Sequence, residues 1–162
     1  EAYVIDQGAK KPLYNIEIKR QPKFDNQFHP DAKTFAGHVV NVVQDLGITD
    51  RTYIQSFDIE SLQETKKLNS DIRLVYLIQN KNTIANNIES LGFKPEVYSP
   101  YFKLIDQDVL EYCKKHKIKL IPWTVNEESD MKHMISIKVD GIITDYPDRL
   151  MDLTRRLGIQ VL

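Results

Sequence analysis

The chain has one cysteine, six glycines and no apolar run approaching the roughly 18 residues that a membrane-spanning helix needs. A lone cysteine, Cys113, excludes an internal disulfide and a cysteine-based zinc cluster. The scarce glycines form no G-x-G-x-x-G after a strand and no Walker-type loop, so a dinucleotide or P-loop nucleotide site has no local support. Charge of one sign is lacking too: 22 Lys plus Arg stand against 23 Asp plus Glu, a formal net charge of -1. The basic footprint of a nucleic-acid binder is therefore absent. No charged-then-apolar leader opens the sequence. Because Glu1 is not an initiator methionine, the expectation is a processed product, a fragment, or a sequence whose beginning is missing.

What is present is an ordinary globular composition: 162 residues, 41% hydrophobic, enough for one domain spanning residues 1–162. Six β-rich runs, Leu13 to Lys19, Thr52 to Ser56, Arg73 to Ile78, Glu96 to Ser99, Lys119 to Val125 and Gly141 to Thr144, are mostly followed by helical patterns. This alternation predicts an α/β fold with parallel strands and crossover helices. One helix carries the stripe Phe35, Val39, Val42, Val43 and Leu46 and stops before Gly47. Asp58 is the expected N-cap of the next, which carries Ile59 and Leu62. Further helices are predicted over 83–91, 107–116, 128–135 and 149–157, with Cys113 on an apolar helix face in the core. Pro147 suits the first turn of the last helix, and Asp145 is expected to cap it.

Both a doubly wound sheet and a (β/α)8 barrel produce this pattern, but a barrel places its chemistry at the C-terminal ends of several strands. Those ends carry Glu17 and Lys19, Gln55 and Ser56, Ser99, Trp123 and Asn126, then Thr144 and Asp145. In a strand, residues two apart share a face, so Asn15, Glu17 and Lys19 point one way and Tyr14, Ile16 and Ile18 the other. A carboxylate beside an ammonium suits a divalent cation and a phosphate together, since hard cations take oxygen ligands and phosphate takes positive charge. The same alternation also describes a half-buried strand with one solvated face.

Four segments occur in order: Asn15-Ile16-Glu17-Ile18-Lys19, Gln55-Ser56-Phe57, Pro122-Trp123-Thr124-Val125-Asn126, and Asp140-Gly141-Ile142-Ile143-Thr144-Asp145-Tyr146-Pro147. With βα units between them, the chain resembles the glycerophosphodiester phosphodiesterase family. That resemblance implies a TIM (β/α)8 barrel, incomplete here, with six of the eight βα units and the first two strands missing. It implies hydrolysis of glycerophosphodiesters to sn-glycerol 3-phosphate and an alcohol. By the same resemblance Glu17 is a metal ligand for Mg²⁺ or Ca²⁺, Lys19 contacts phosphate and Trp123 lines the pocket near glycerol. Gln55, Phe57 and, in the loop after the Glu17 strand, His29 are candidate pocket-lining residues.

The departure from the family pattern is large. No His-Arg-Gly strand, Glu-x-Asp pair or His-Asp element occurs, and none of His29, His38, His116 and His133 is followed by Arg-Gly or Asp. The chain alone is therefore expected to be inactive and to bind metal weakly, because a lone glutamate is a poor site for a cation needing several oxygens. Two exposed strand edges are expected, to be filled by a missing N-terminal segment or another copy. Two other readings stand beside the enzyme: a remnant that binds glycerophosphate or a partner without catalysis, and a barrel acting on intact lipid, with Tyr101 and Phe102 as candidates for an apolar patch at its mouth.

Overall fold

The computed structural model describes residues 6, 8 and 10–159. Among them five strands form one parallel sheet: β1 (Tyr14–Glu17), β2 (Thr52–Ser56), β3 (Arg73–Ile78), β4 (Val97–Pro100) and β5 (Lys119–Leu120), in the spatial order of the sequence. A doubly wound sheet reverses its strand order at a switch point. The unbroken order here is that of a barrel wall, each strand laid beside its predecessor by a crossover helix. Those helices are α1 (Ala32–Asp45), α2 (Ile59–Leu68), α3 (Ile84–Leu91), α4 (Gln107–His116), α5 (Glu128–Ser136) and α6 (Pro147–Arg156).

The helices cover only one face of the sheet. Ile18, Ile54, Leu74, Tyr76 and Leu120 pack with Val40, Leu62, Leu91, Val109 and Cys113 of the helices in one buried cluster. The alternate residues point the other way, into a cavity of about 140 Å³ lined by Leu13, Tyr14, Asn15, Tyr53, Val75, Val97, Ile121 and Ile143, to which no helix contributes. Since β1 and the last βα unit both reach this cavity, the sheet is strongly curled, as a barrel wall must be.

The caps explain where the helices begin and end. Asp31, Asp58, Thr83 and Asp106 each accept a hydrogen bond from the backbone N–H three residues on, starting α1 to α4. Gly92 ends α3 at φ +82°, where a Cβ is unfavourable.

Three expectations are corrected. The sixth run, Gly141 to Thr144, is not a regular strand, and the fifth is assigned only at Lys119–Leu120. Asp140 N–H still bonds Leu120 O, Ile143 N–H bonds Pro122 O and Val125 N–H bonds Ile143 O. The segment thus lies against the fifth strand's continuation, but Pro122 has no N–H to give to that side, so the ladder stays irregular. Along α1 the buried residues are Ala32, Ala36, Val40 and Val43, while Val42 and Leu46 are exposed. Two alanines let this helix approach its neighbour α2 closely and turn the apolar stripe away from its larger members. The last helix begins at Pro147 with Tyr146 at the N-cap and no side-chain cap, because Asp145 is held elsewhere.

Cys113 is buried as expected, and burial pushes its thiol up to about 12. A thiol so protonated is a poor nucleophile. In the folded protein Cys113 should resist a thiol-specific reagent and react in one cooperative step when denaturant is added. Prompt reaction under native conditions would contradict this packing.

Candidate active site

At the C-terminal ends of the strands a second cavity, of about 260 Å³, is lined by Glu17, Lys19, Gln55, Phe57, Leu77, Trp123, Thr124 and Ile143. Five of the six site residues chosen from sequence meet here, although they lie as far apart as positions 17 and 123. Register explains the first of these meetings. β1 and β2 pair with Glu17 opposite Gln55, so a two-residue alternation places both on the inner face. Asn15 Nδ2 donates to Gln55 Oε1 at 2.7 Å, which fixes the amide beneath the mouth.

Glu17 and Lys19 form a loose ion pair, Nζ to Oε2 3.6 Å, with the lysine side chain 79% exposed and the glutamate 22%. The ammonium is consequently free to turn toward an anion in the mouth. Trp123 forms the opposite wall. Its indole N–H donates to Ser99 O at 2.8 Å, and Phe57 meets its ring edge-on with centroids 5.3 Å apart. Tyr101 and Phe102 pack on each other at 5.0 Å, and Tyr101 lies 5.8 Å from Trp123. These two rings extend the aromatic wall and are partly buried, while Phe57 is the exposed one.

His29 does not line this cavity. Its Nε2 accepts the Gln21 N–H at 3.1 Å and its Nδ1 lies 2.9 Å from Pro30 O, so in one neutral tautomer both ring nitrogens are satisfied within its own loop. Ser56 and Ser99 are buried and donate to the carbonyls of Ile18 and Ile121, which makes them parts of the wall. Asp145 also has a role other than the one expected. Asn126 Nδ2 donates to its carboxylate at 2.8 Å, and the Asp145 N–H donates back to Asn126 Oδ1 at 3.0 Å. This two-way bracket ties the loop after Trp123 to the last βα unit.

One cluster was not foreseen. Arg20, next to Lys19, has a side chain only 5% exposed. Its guanidinium donates to both oxygens of Asp25 at 2.9 and 2.6 Å, to Asp58 at 2.9 Å and to Glu60 at 2.6 Å. Asp58 is also the cap of α2, so the cluster joins the loop after β1 to the start of that helix. No sequence pattern announces partners 5, 38 and 40 positions away.

The carboxylates respond as this geometry requires. Hydrogen bonding to Arg20 holds Asp25 below its ordinary value. At the start of α5, Lys132 and then Arg156 hold Glu128 at about 2. Since a depressed carboxylate stabilises the fold above its unfolded pKa and loses that contribution as pH falls through the folded one, stability should decline between about pH 4 and pH 2. Thermal melts across that range, repeated at high salt, check this. A flat profile would show that these pairs contribute nothing.

The donor set does not by itself make a cation site. Glu17 is the cavity's one carboxylate, and among the described residues no group of three His, Cys, Asp or Glu side chains is placed to hold an ion. A hard divalent cation needs more oxygens than that.

The model of the Glycerophosphoryl diester phosphodiesterase family matches residues 4–149. A glycerophosphodiester phosphodiesterase of Caldanaerobacter subterraneus subsp. tengcongensis is 33% identical over 155 residues, covering 93% of this chain and 59% of that protein. Another, from Bacillus subtilis, is 31% identical over 149 residues, covering 90% and 50%. The chain thus spans about half to three-fifths of the length of these relatives. Among solved structures, a Parabacteroides distasonis glycerophosphodiester phosphodiesterase superposes with TM-score 0.71 at 23% identity, covering 90% of this chain and 58% of that one. An Oleispira antarctica phosphodiesterase in complex with the product sn-glycerol-3-phosphate gives 0.75 at 19%, covering 94% and 58%. These two likenesses show the fold.

Proposed function

We propose, because the chain belongs to the glycerophosphoryl diester phosphodiesterase family, that its strand-end cavity is the glycerophosphate side of a phosphodiesterase site. In this reading the substrates are glycerophosphodiesters, hydrolysed to sn-glycerol 3-phosphate and an alcohol. The observation that carries it is the meeting of Glu17, Lys19, Gln55, Phe57 and Trp123 around one cavity of about 260 Å³. Lys19 supplies positive charge to a phosphate oxygen. Gln55, held by Asn15, offers a fixed amide to the ester or a glycerol hydroxyl. Trp123 and Phe57 provide an apolar wall for the glycerol carbons and keep bulk water off that side.

A divalent cation, Mg²⁺ or Ca²⁺, belongs to the proposal with Glu17 as one ligand, and further carboxylates must come from outside the described residues. So must a proton donor and acceptor for the ester, since no described histidine reaches the cavity. The working barrel is accordingly completed by about the share of length by which the relatives exceed this chain, seated against β1 and the last βα unit. Residues 1–162 alone should neither turn over substrate nor hold metal tightly.

The deciding experiment assays glycerophosphocholine hydrolysis by the intact protein and by residues 1–162, with and without added Mg²⁺ or Ca²⁺, detecting sn-glycerol 3-phosphate. Cation-dependent release by the intact protein only is the expected result. Full activity of residues 1–162 would refute the incomplete-site reading. No release by either would leave the cavity as a binding site without catalysis.

A further inference from the structure

The opposite end of the sheet, where the strands begin and the helices finish, carries a different surface. A cleft of about 580 Å³ lies between the C-terminal ends of α4 and α5, with Leu110, Cys113, Ile118, Leu120 and Ile137 among its lining and Lys114, Lys117, Lys119 and Lys138 at its rim. A neighbouring cleft shares Lys117 and Lys119 and adds Lys94 and Arg73. Together these linings hold six cations against two carboxylates, Asp140 and Glu96, each of which already accepts a backbone N–H.

None of the five lysines forms an ion pair among the described residues. In a chain with a formal charge of -1, such crowding is a local excess that self-repulsion disfavours unless an anion neutralises it. The other acids toward this end, Asp45, Asp50, Asp71, Glu89 in the last turn of α3 and Asp152 of α6, line neither cleft, and Asp152 is paired with Arg155 and Arg156.

The backbone adds an independent observation. Three helix ends in this fold reach the left-handed region with glycine: Gly47, Gly92 and Gly158. The two helices that border the cleft use lysine instead, Lys117 at φ 53° and Lys138 at φ 61°. A Cβ is unfavourable in that conformation, and glycine is the residue that removes the cost. Lysine thus stands at two positions where backbone energetics favour glycine.

We propose that this end of the barrel wall is a docking surface for an anionic lipid bilayer. The lysine rim matches lipid phosphates. Partly exposed Leu110 and Ile137 beside the lysines, with exposed Leu157 at the end of α6, the next helix along the chain, give the acyl boundary a contact that a nucleic acid or polysaccharide would not use. Docking in this way turns the strand-end cavity away from the membrane, toward dissolved substrates. The inference stands apart from the reading of that cavity, and hydrolysis is not its readout.

The test is co-sedimentation of the intact protein with vesicles of phosphatidylglycerol and phosphatidylcholine in equal parts, against vesicles of phosphatidylcholine alone. Binding should require the anionic lipid and weaken as salt is raised. The double variant Lys117→Gly/Lys138→Gly should keep its melting temperature, since both positions suit glycine, and should bind about 25-fold more weakly at about five-fold per lysine. Lys114→Gln/Lys119→Gln, at positions of ordinary backbone geometry, should weaken binding to a similar degree. Equal binding to both vesicle types, or unchanged binding by both variants, would overturn the proposal. Tighter retention on heparin than on anionic vesicles at the same salt would also overturn it, assigning the face to a soluble polyanion.

Discussion

Replacing Lys19 with alanine should lower kcat/KM for release of sn-glycerol 3-phosphate by the intact protein about 10²-fold or more, with little change in stability. The two halves of this expectation have one structural origin. Lys19 is 79% exposed and makes only a 3.6 Å contact with Glu17, so the fold gains little from it. Truncation should cost no more than about 0.5 kcal/mol of stability. In the proposed site a phosphodiester passing through its transition state would gather charge on oxygens within reach of this ammonium, and alanine would leave that charge unmet. Lys19→Arg should recover part of the rate, because the charge is kept while its geometry changes. Steady-state kinetics beside a urea melt separate the effects. Unchanged turnover in Lys19→Ala would remove this residue from the site.

Arg20→Met should do the reverse and destabilise the fold by about 2–4 kcal/mol, because it leaves carboxylates packed together without their cation. The guanidinium is 5% exposed and serves Asp25, Asp58 and Glu60 at once, whereas Glu60 is itself largely exposed. That exposure places the effect below the top of the range for fully buried pairs. The loss should diminish at low pH, where the carboxylates become neutral and no longer need Arg20. Denaturant titration at neutral and acid pH checks both points. A loss below about 0.5 kcal/mol would mark the cluster as an ordinary surface ion pair.

Much of the architecture was legible because it repeats. Five of the six strand runs and all six helices were visible as apolar stretches bounded by caps and glycines, and periodicity and capping are both local properties. Local signals fail where a partner far along the chain decides. Pro122 spoils the ladder to the segment that begins at Gly141, which cannot be known until the two are neighbours. Asp145 has the residue type and position of a cap, but Asn126, 19 residues earlier, engages its carboxylate instead. Val42 and Leu46 fit the helical stripe by spacing, and small alanines at 32 and 36 nevertheless turn the buried face away from them. For the site, Glu17, Gln55 and Trp123 follow from their places at the expected strand ends, whereas the roles of metal ligand, phosphate contact and pocket wall rest on family likeness. Arg20 was missed because an arginine after a strand is an unremarkable surface residue until its three acids are assembled.

Trp123 is the chain's one tryptophan. With its indole N–H committed to Ser99 O, and Phe57 and Tyr101 against its ring, it is a fixed chromophore at the mouth of the cavity. In residues 1–162, emission excited selectively at tryptophan wavelengths therefore reports from one known place. The intensity and wavelength of that signal give the polarity of the mouth directly, so a ligand entering the cavity can be titrated without a label and without catalysis.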